Sequence, residues 1–212
     1  MRPFSPLTEG YIMAKQIATL VQDMESVIFG QEGWDNTIGQ MVGTNIAQMA
    51  SDRFKAPQEP RGYLSMSSLG TPCSRKLWYK INQTDKAEAL QANALLKFFY
   101  GDMIEELALG IAQQAGHEVV GQQDKMNAHG IKGSRDCVID GMTVDVKSCS
   151  SYAFKKFKEG TLAQNDSFGY LSQLAGYEEA EQTSEGGFLV MNKETGEHYE
   201  KTGPVIIGNY NS

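Results

Sequence analysis

Gly133-Ser-Arg-Asp-Cys-Val-Ile-Asp-Gly-Met-Thr-Val-Asp-Val-Lys147 is the stretch that decides the fold of this chain. Two runs rich in strand-forming residues flank Asp140-Gly141, a dipeptide that favours a two-residue hairpin turn because both central positions need φ > 0. The predicted cross-strand pairs, from the turn outward, are Ile139–Met142, Val138–Thr143, Cys137–Val144, Asp136–Asp145 and Ser134–Lys147. The sequence therefore predicts two antiparallel strands, Gly133–Ile139 and Met142–Ser148.

Alternation along these strands separates an apolar face from a polar face. The apolar face is expected to join the core and consists of Cys137, Ile139, Met142, Val144 and Val146. The polar face consists of Ser134, Asp136, Thr143, Asp145 and Lys147.

The predicted pair of Asp136 and Asp145 indicates a metal site. Its Cβ atoms would lie ~4.5–5.5 Å apart, and like charges at that spacing destabilise a sheet unless a positive charge lies between them. A divalent cation supplies that charge, and carboxylate oxygens suit Mg²⁺ or Mn²⁺. Lys147 would then touch an anionic substrate or a water held by the metal. A solvated strand face that carries ordinary surface charge is the alternative.

A third carboxylate comes from a helix predicted from about Asp85 to Ala115, which Gly101 could kink and Gly116 would end. Glu105 shares its helix face with small and apolar residues, namely Ala94, Phe98, Gly101, Ala108, Leu109 and Ala112. A carboxylate on such a stripe is costly unless it is paired or bound to metal. Glu106 is expected to face solvent with Asp102 and Gln113. Glu105 is thus the ligand candidate, and a partly exposed or arginine-paired Glu105 is the alternative.

The remaining elements complete an α/β fold with a mixed sheet. Residues 11–52 read as two helical pieces, the first with apolar positions at Ile12, Ile17, Leu20, Val21, Met24 and Ile28, and the second from Trp34 to Ala50. Residues 56–60 are expected to form a linker or a turn, so 1–60 is predicted to be a helical extension and 61–212 the main domain. Further expected elements are helices at Cys73–Ile81 and from the cap Asp166-Ser167 to Glu181, and strands at His117–Gln122, Gly187–Asn192 and His198–Lys201.

The composition is that of a globular protein without a membrane segment. Of 212 residues, 41% are hydrophobic and 21% charged, and no apolar run reaches membrane-spanning length. The start of the chain lacks the apolar core of a secretory signal, so a cytoplasmic location is expected. Cys73, Cys137 and Cys149 lack zinc-site spacing and are expected to be reduced, semi-buried residues.

Charge is distributed unevenly along the chain. The net charge of −7 argues against coating nucleic acid by bulk electrostatics. Residues 61–80 nevertheless contain no acidic residue, and they combine cations with aromatic rings: Arg61, Tyr63, Arg75, Lys76, Trp78, Tyr79 and Lys80. A basic and aromatic strip of this kind is suited to single-stranded DNA.

Five short motifs in this order resemble the PD-(D/E)XK nuclease superfamily, and within it the RecB-like exonucleases with their phage, CRISPR-associated and mitochondrial relatives. The motifs are Ser67-Ser-Leu-Gly-Thr-Pro-Cys73-Ser-Arg75-Lys-Leu-Trp-Tyr79, Gly101-Asp-Met-Ile-Glu105, Gly133-Ser-Arg-Asp136, Asp145-Val-Lys147 and Gln173-Leu-Ala-Gly-Tyr177. The resemblance covers about 65–201. It implies a restriction-endonuclease-like core, with a central mixed β-sheet flanked by helices, behind the N-terminal helical extension.

The resemblance also implies roles for individual residues. One or two Mg²⁺ or Mn²⁺ ions would be held by Glu105, Asp136, Asp145 and the Val146 carbonyl. Catalysis would involve Lys147 with these carboxylates and with Gln173 and Tyr177, which steady Lys147 or the DNA. DNA would be bound by Arg75, Lys76, Trp78, Ser67 and Tyr170.

Two departures from the family pattern affect metal chemistry. Many RecB-like members have histidine where Glu105 stands. Some relatives hold an iron–sulfur cluster with a cysteine like Cys73 and three C-terminal cysteines. No cysteine follows Cys149, so no cluster is expected, and Cys73 would be a relic or a packing residue.

The implied activity is metal-dependent hydrolysis of DNA from single-stranded or frayed ends, in recombination, repair or DNA degradation. A recombination or replication protein is a candidate partner, and no membrane is expected. Two rivals remain open. One is an endonuclease or junction resolvase with the same core, and the other is an inactive DNA-binding assembly subunit.

Overall fold

A computed structural model describes residues 15–31, 33–55 and 59–198. The predictions for Ile12, for residues 56–58 and for 199–201 lie outside these ranges. The helices are α1 (Leu20–Ile28), α2 (Asn36–Phe54), α3 (Ser74–Asn82), α4 (Ala92–Gln114), α5 (Ser151–Lys158) and α6 (Tyr170–Glu181). The strands are β1 (Val119–Val120), β2 (Lys125–Ala128), β3 (Ile131–Ser134), β4 (Cys137–Ile139), β5 (Met142–Cys149) and β6 (Gly186–Asn192). Short 3-10 helices lie at Ile17–Thr19, Met66–Ser68, Thr84–Lys86 and Leu162–Gln164.

A four-stranded mixed sheet in the order β1-β4-β5-β6 forms the centre of the molecule. The β1–β4 and β4–β5 pairs are antiparallel, and β5–β6 is parallel. The connection from β5 to β6 carries α5 and α6, because parallel neighbours need a long crossover. The predicted α/β class, with a mixed central sheet flanked by helices, is confirmed.

Alternate residues of the sheet serve two separate cores. One core joins α1 and α4 to the predicted apolar face, and it includes Cys137, Ile139, Val144, Val146 and Leu189. The other joins α5 and α6 to Phe188 and Val190 of β6. The apolar face assigned to the hairpin is thus confirmed, and its polar face lies on the side of the second core.

The hairpin turn forms as the sequence predicts. Asp140 and Gly141 adopt φ values of 50° and 83°. The three pairs nearest the turn, Cys137–Val144, Val138–Thr143 and Ile139–Met142, have the predicted register.

Beyond Cys137 the predicted register is wrong, because the chain leaves the ladder. Ser134 pairs with Lys125 in a separate β2–β3 hairpin instead of with Lys147. The backbone of the next two residues is also bonded elsewhere, since Arg135 N donates to Asp124 O at 3.1 Å and Asp136 O accepts from Gln123 N at 3.2 Å. The predicted strand Gly133–Ile139 is therefore two strands separated by Arg135 and Asp136.

Two predicted helices begin later than expected. Helix α4 begins at Ala92 rather than Asp85, and it runs through Gly101 without a break. Helix α6 begins at Tyr170 with Gly169 as its N-cap, although Asp166 still accepts a hydrogen bond from Leu171 N at 2.8 Å. Strand β2 and helix α5 have no counterpart among the predicted elements.

The predicted exposure of Glu106 is wrong. Glu106 is 4% exposed, and its carboxylate accepts a hydrogen bond from Asn45 of α2 at 2.7 Å. Helix α2 packs closely on α4 one turn further along, where a Cβ at Gly110 would overlap the Val42 side chain. Burial under α2 therefore explains why Glu106 does not face solvent. The apolar stripe predicted for Glu105 also ends early, since Phe98 is 48% exposed.

Helix α1 joins the same core as the sheet. Its buried residues Leu20, Met24 and Val27 pack in the cluster that contains Ala108 and Ile139. The boundary placed after residue 60 remains a prediction.

A buried histidine attaches α1 to the hairpin turn. The His117 side chain is fully buried between Asp140, at 2.6 Å from Nδ1, and Asp23 of α1, at 3.2 Å from Nε2. These contacts hold the first helix against the β4–β5 turn.

Cysteine burial agrees with the prediction at two positions. Cys137 and Cys149 are buried free thiols, whereas Cys73 is exposed, so the packing role suggested for Cys73 is wrong. Across the described ranges, no helix combines the length and apolarity that a membrane crossing requires.

Candidate active site

Strand β4 pairs with β5 only from Met142 to Val144, so this edge of β5 is open beyond Val144. Asp145 and Lys147 form a buried ion pair on that open part of β5. Asp145 is 0% exposed, and its Oδ2 lies 2.5 Å from Lys147 Nζ. Apart from this ion pair, neither oxygen of Asp145 receives a hydrogen bond from the described residues. A fully buried carboxylate with so few donors is costly unless a cation compensates it.

Asp136 approaches the same edge from the β3–β4 connection. Its Oδ2 accepts a hydrogen bond from Val146 N at 2.7 Å. Burial, together with the charges of Asp145 and Glu105, raises the pKa of the Asp136 carboxyl well above its ordinary value. Since the N–H and C=O of a strand residue point the same way, the Val146 carbonyl faces this edge too.

Glu105 of α4 is the third carboxylate of the group. Its Oε1 accepts a hydrogen bond from Gln123 Nε2 at 2.8 Å. Burial, with the negative charges of Asp102 and Asp145, raises the pKa of Glu105 to about 7 despite that hydrogen bond. The structure thus brings Glu105, Asp136, Asp145 and Lys147 into one electrostatic unit, as their predicted shared role requires.

Lys147 is cationic in this arrangement. Burial alone would lower the pKa of its ammonium, but the charges of Asp145 and Asp136 raise that pKa above its ordinary value. The Nζ atom also lies 3.4 Å from Gln173 Oε1 and 5.3 Å from the centroid of the Tyr170 ring. Lys147 therefore acts as a fixed positive charge and hydrogen-bond donor in a pocket of carboxylates.

Helix α6 holds this lysine through a chain of hydrogen bonds. Gln173 Nε2 donates to the Tyr177 hydroxyl at 2.9 Å, and that hydroxyl donates to the Ser134 carbonyl at 2.7 Å. Burial raises the pKa of Tyr177 to about 12, so its hydroxyl keeps the proton it donates. This series of hydrogen bonds connects the β2–β3 hairpin to the ammonium of Lys147.

The group has the donor chemistry for a divalent cation but not the side-chain placement of a formed metal centre. Within 15–31, 33–55 and 59–198, no three His, Cys, Asp or Glu side chains are arranged as a ready coordination shell. The donor set is nonetheless made of oxygen atoms, which suit Mg²⁺ or Mn²⁺. Two observations fit a cation, namely the raised pKa values of Glu105 and Asp136 and the Asp145 oxygens, which no donor but Lys147 approaches.

The predicted DNA-binding residues are dispersed over neighbouring surfaces. Tyr170 lies against Lys147, and Ser67 is exposed on the 3-10 helix Met66–Ser68. Arg75, Lys76 and Trp78 are exposed on α3. Among the described contacts, none joins these three side chains to the carboxylates.

Sequence reasoning missed the cleft beside Glu105. This cleft has a volume of about 340 Å³, and Arg53, Arg61, Asp102 and Gln123 line it together with Glu105. Arg53 Nε lies 3.1 Å from Asp102 Oδ2, which places an ion pair on its wall. No sequence signal marks Gln123, because its contact with Glu105 depends on how the turn after β1 packs against α4.

Replacing Tyr177 by phenylalanine is expected to destabilise the fold by about 1–3 kcal/mol, because the Ser134 carbonyl and the Gln173 amide would lose a buried partner. Chemical denaturation of the variant measures this loss. Tyr170→Phe is the matched control, since Tyr170 contacts Lys147 through its ring. Equal losses in the two variants would contradict the role given to the Tyr177 hydroxyl.

Comparisons with known proteins add remote structural similarities. No protein-family model matches the chain, and no curated protein matches its sequence. The fold is similar to an alkaline exonuclease (LHK-Exo) from Laribacter hongkongensis, with 13% identity, a TM-score of 0.49, and coverage of 73% of this chain and 81% of that one. A structure of LHK-Exo in complex with dAMP gives 13% identity, a TM-score of 0.46, and coverage of 66% and 76%. Because similarities at this level are weak, the chemistry of the site rests on its own residues.

Proposed function

We propose that the protein is a metal-dependent deoxyribonuclease of the PD-(D/E)XK type with a restriction-endonuclease-like core. The observation that carries this proposal is the convergence of three carboxylates, Glu105, Asp136 and Asp145, with the ammonium of Lys147 at one open sheet edge. These residues belong to motifs of the family that the sequence resembles. The finer proposal is an exonuclease similar to the RecB-like branch, acting on DNA ends.

The three carboxylates and the Val146 carbonyl are the groups that would hold Mg²⁺ or Mn²⁺. Such an ion, when bound, lowers the pKa of a coordinated water and stabilises charge on a phosphate. A cation at this site is supported by burial and mutual repulsion, which disfavour the charged forms of Glu105 and Asp136. Lys147 supplies part of the missing positive charge through its ion pair with Asp145.

Lys147 is proposed to orient the attacking water and to stabilise negative charge that develops on the scissile phosphate. Its raised pKa keeps it protonated at neutral pH, so it donates hydrogen bonds and does not serve as the general base. Gln173 and the Tyr170 ring hold the ammonium from the α6 side. Fixed donors of this kind stabilise a transition state without reorganising when charge develops.

Digestion of end-labelled linear DNA and closed circular DNA tests this proposal. With Mg²⁺, the protein is expected to release labelled nucleotides from linear DNA, to leave circular DNA intact and to be inactive in EDTA. Cutting of circular DNA would replace the exonuclease proposal with the endonuclease alternative. If neither linear nor circular DNA is digested in Mg²⁺ or Mn²⁺, the proposed nuclease function is contradicted.

Glu105→Ala and Glu106→Ala are expected to have opposite effects. Loss of Glu105 removes a proposed ligand from the carboxylate group, so activity should fall by about a hundredfold or more while stability is kept. Loss of Glu106 leaves the Asn45 amide without its partner, so stability should fall by about 1–3 kcal/mol while the folded protein keeps its activity. Nuclease rates and chemical denaturation of both variants measure these effects, and the reverse assignment would show Glu106 to be the functional carboxylate.

A further inference from the structure

A pocket rich in cations lies between the segment after Pro60 and the β2–β3 hairpin. Its volume is about 340 Å³, and its lining includes Arg61, Tyr63, Lys125, Asn127, Lys132 and Ser134. Three of the described lining residues are cations and none is acidic. In a chain of net charge −7, a concave surface of this composition favours an anionic ligand.

The two lysines of this pocket are held in place without carboxylate partners. Lys125 Nζ donates to Ser134 Oγ at 2.8 Å, and Lys132 Nζ lies 5.1 Å from the centroid of the Tyr63 ring. Lys132 N also donates to the Leu64 carbonyl at 3.2 Å, which fixes the hairpin against the segment that carries Tyr63. Among the ion pairs of the described ranges, none includes Arg61, Lys125 or Lys132, so their charges remain available.

The pocket is connected to the candidate active site in two ways. Arg61 lines both this pocket and the cleft that contains Glu105. Ser134 lines the pocket with its own atoms, and its carbonyl accepts the hydrogen bond from Tyr177 that continues to Gln173 and Lys147. A ligand in the pocket would therefore lie along a path that leads to the carboxylates.

We infer that this pocket binds the sugar–phosphate backbone of single-stranded DNA, with the ring of Tyr63 as a platform for one base. Three unpaired cations match a short run of phosphates, and an aromatic ring among cations is the usual composition of a single-strand groove. Tyr63 is 38% exposed, which leaves ring surface for a base. The aromatic ring favours nucleic acid over an acidic peptide. The inference deepens the proposed function, because it identifies the strand that would be led to the active site.

Binding of a fluorescein-labelled oligothymidine in EDTA tests the inference without any cutting. Arg61→Ala, Lys125→Ala and Lys132→Ala are each expected to weaken binding and to lower the slope of log K against log salt by about 0.7, the value for one phosphate contact on a single strand. Arg61→Ala keeps the test decisive if a hairpin variant unfolds, because Arg61 lies outside the strands. Lys155→Ala, which removes one exposed charge from α5, should leave affinity and slope unchanged.

Tyr63→Leu separates base stacking from charge. Its affinity for the oligonucleotide should fall by about tenfold, while its affinity for inorganic polyphosphate should stay that of the wild type. The inference is overturned if the three cation variants bind the oligonucleotide as Lys155→Ala does. Equal losses for both ligands in Tyr63→Leu would overturn the base platform, and tighter binding of polyglutamate than of oligothymidine would replace DNA with an acidic peptide.

The outcome is distinguishable from failure of the proposed function. If wild-type protein cuts DNA but the pocket variants bind normally, the pocket inference alone is wrong. If the variants lose binding but the wild type shows no metal-dependent cutting, the pocket stands as a DNA-binding site and the nuclease proposal is wrong.

Discussion

Asp136→Asn is expected to abolish stabilisation of the folded chain by Mg²⁺ or Mn²⁺ while leaving its melting temperature in EDTA unchanged or higher. The charged form of Asp136 is disfavoured by burial and by Asp145 and Glu105, so a neutral side chain of the same shape removes a repulsion. The asparagine carbonyl oxygen can still accept the hydrogen bond from Val146 N. One charged ligand is lost, and metal affinity should fall with it.

Thermal melting with and without metal measures both parts of this expectation. For the wild type, a metal concentration a hundredfold above Kd corresponds to about 2.7 kcal/mol of added stability. Asp85→Asn, an exposed change in the 3-10 helix Thr84–Lys86, is the control and should keep the full metal effect. Undiminished stabilisation of Asp136→Asn by metal would remove Asp136 from the ligand set.

Lys147→Ala is expected to lower turnover by about a hundredfold to a thousandfold while changing DNA affinity only a few-fold. The ammonium lies among Asp145, Gln173 and Tyr170, so it is placed to act on charge that develops during reaction. An interaction that strengthens only in the transition state affects turnover and leaves ground-state binding largely intact.

Affinity for a DNA end is measured in Ca²⁺, which replaces Mg²⁺ so that binding is read without cutting. Lys155→Ala removes a charge from α5, where Lys155 pairs with Glu159, and it should match the wild type in rate and affinity. A Lys147→Ala variant that digests linear DNA at the wild-type rate would show Asp145-Val-Lys147 to be ordinary strand chemistry. The digestion would then not depend on this lysine, and the catalytic role proposed for Lys147 would be wrong.

Local patterns predicted the parts of the fold that depend on neighbouring residues. The Asp140-Gly141 turn and the three pairs beside it follow from φ preferences and from alternation, both of which are read within a few residues. The core face of the hairpin follows for the same reason. The helix of Gln173 and Tyr177 was predicted from its cap residues, and its end at Glu181 is correct, although its first turn was misplaced.

Contacts between distant segments account for what the sequence did not predict. Asp136 lies outside the ladder, where its carbonyl accepts from Gln123 N in the turn before β2, and Glu106 is buried because α2 covers that side of α4. The contact of Gln123 with Glu105 and the pocket on the β2–β3 hairpin arise in the same way. None of these contacts has a periodicity or a spacing that one segment could reveal.

The pair of Asp136 and Asp145 combines a feature predicted from local sequence with a feature set by contacts between distant segments. The charge of Asp145 helps to raise the pKa of Asp136, as the predicted pairing implies, but Asp136 lies in a loop rather than at a paired strand position. The loop lets its carboxylate accept from Val146 N, a bond that regular pairing would give to a backbone carbonyl. The approach of these two carboxylates was thus predicted from residue types, while the position of Asp136 in a loop required the structure.

The most direct test compares the release of acid-soluble nucleotides from linear DNA in Mg²⁺ by the wild type and by Asp145→Asn, purified in parallel. Asp145 is the buried carboxylate that no donor but Lys147 approaches, so its charge is central to the proposed site. The wild type is expected to release nucleotides steadily in Mg²⁺ and to release none in EDTA. The variant is expected to release them at least about a hundredfold more slowly. Equal rates for the two proteins would contradict the account, because the activity could not then come from this site.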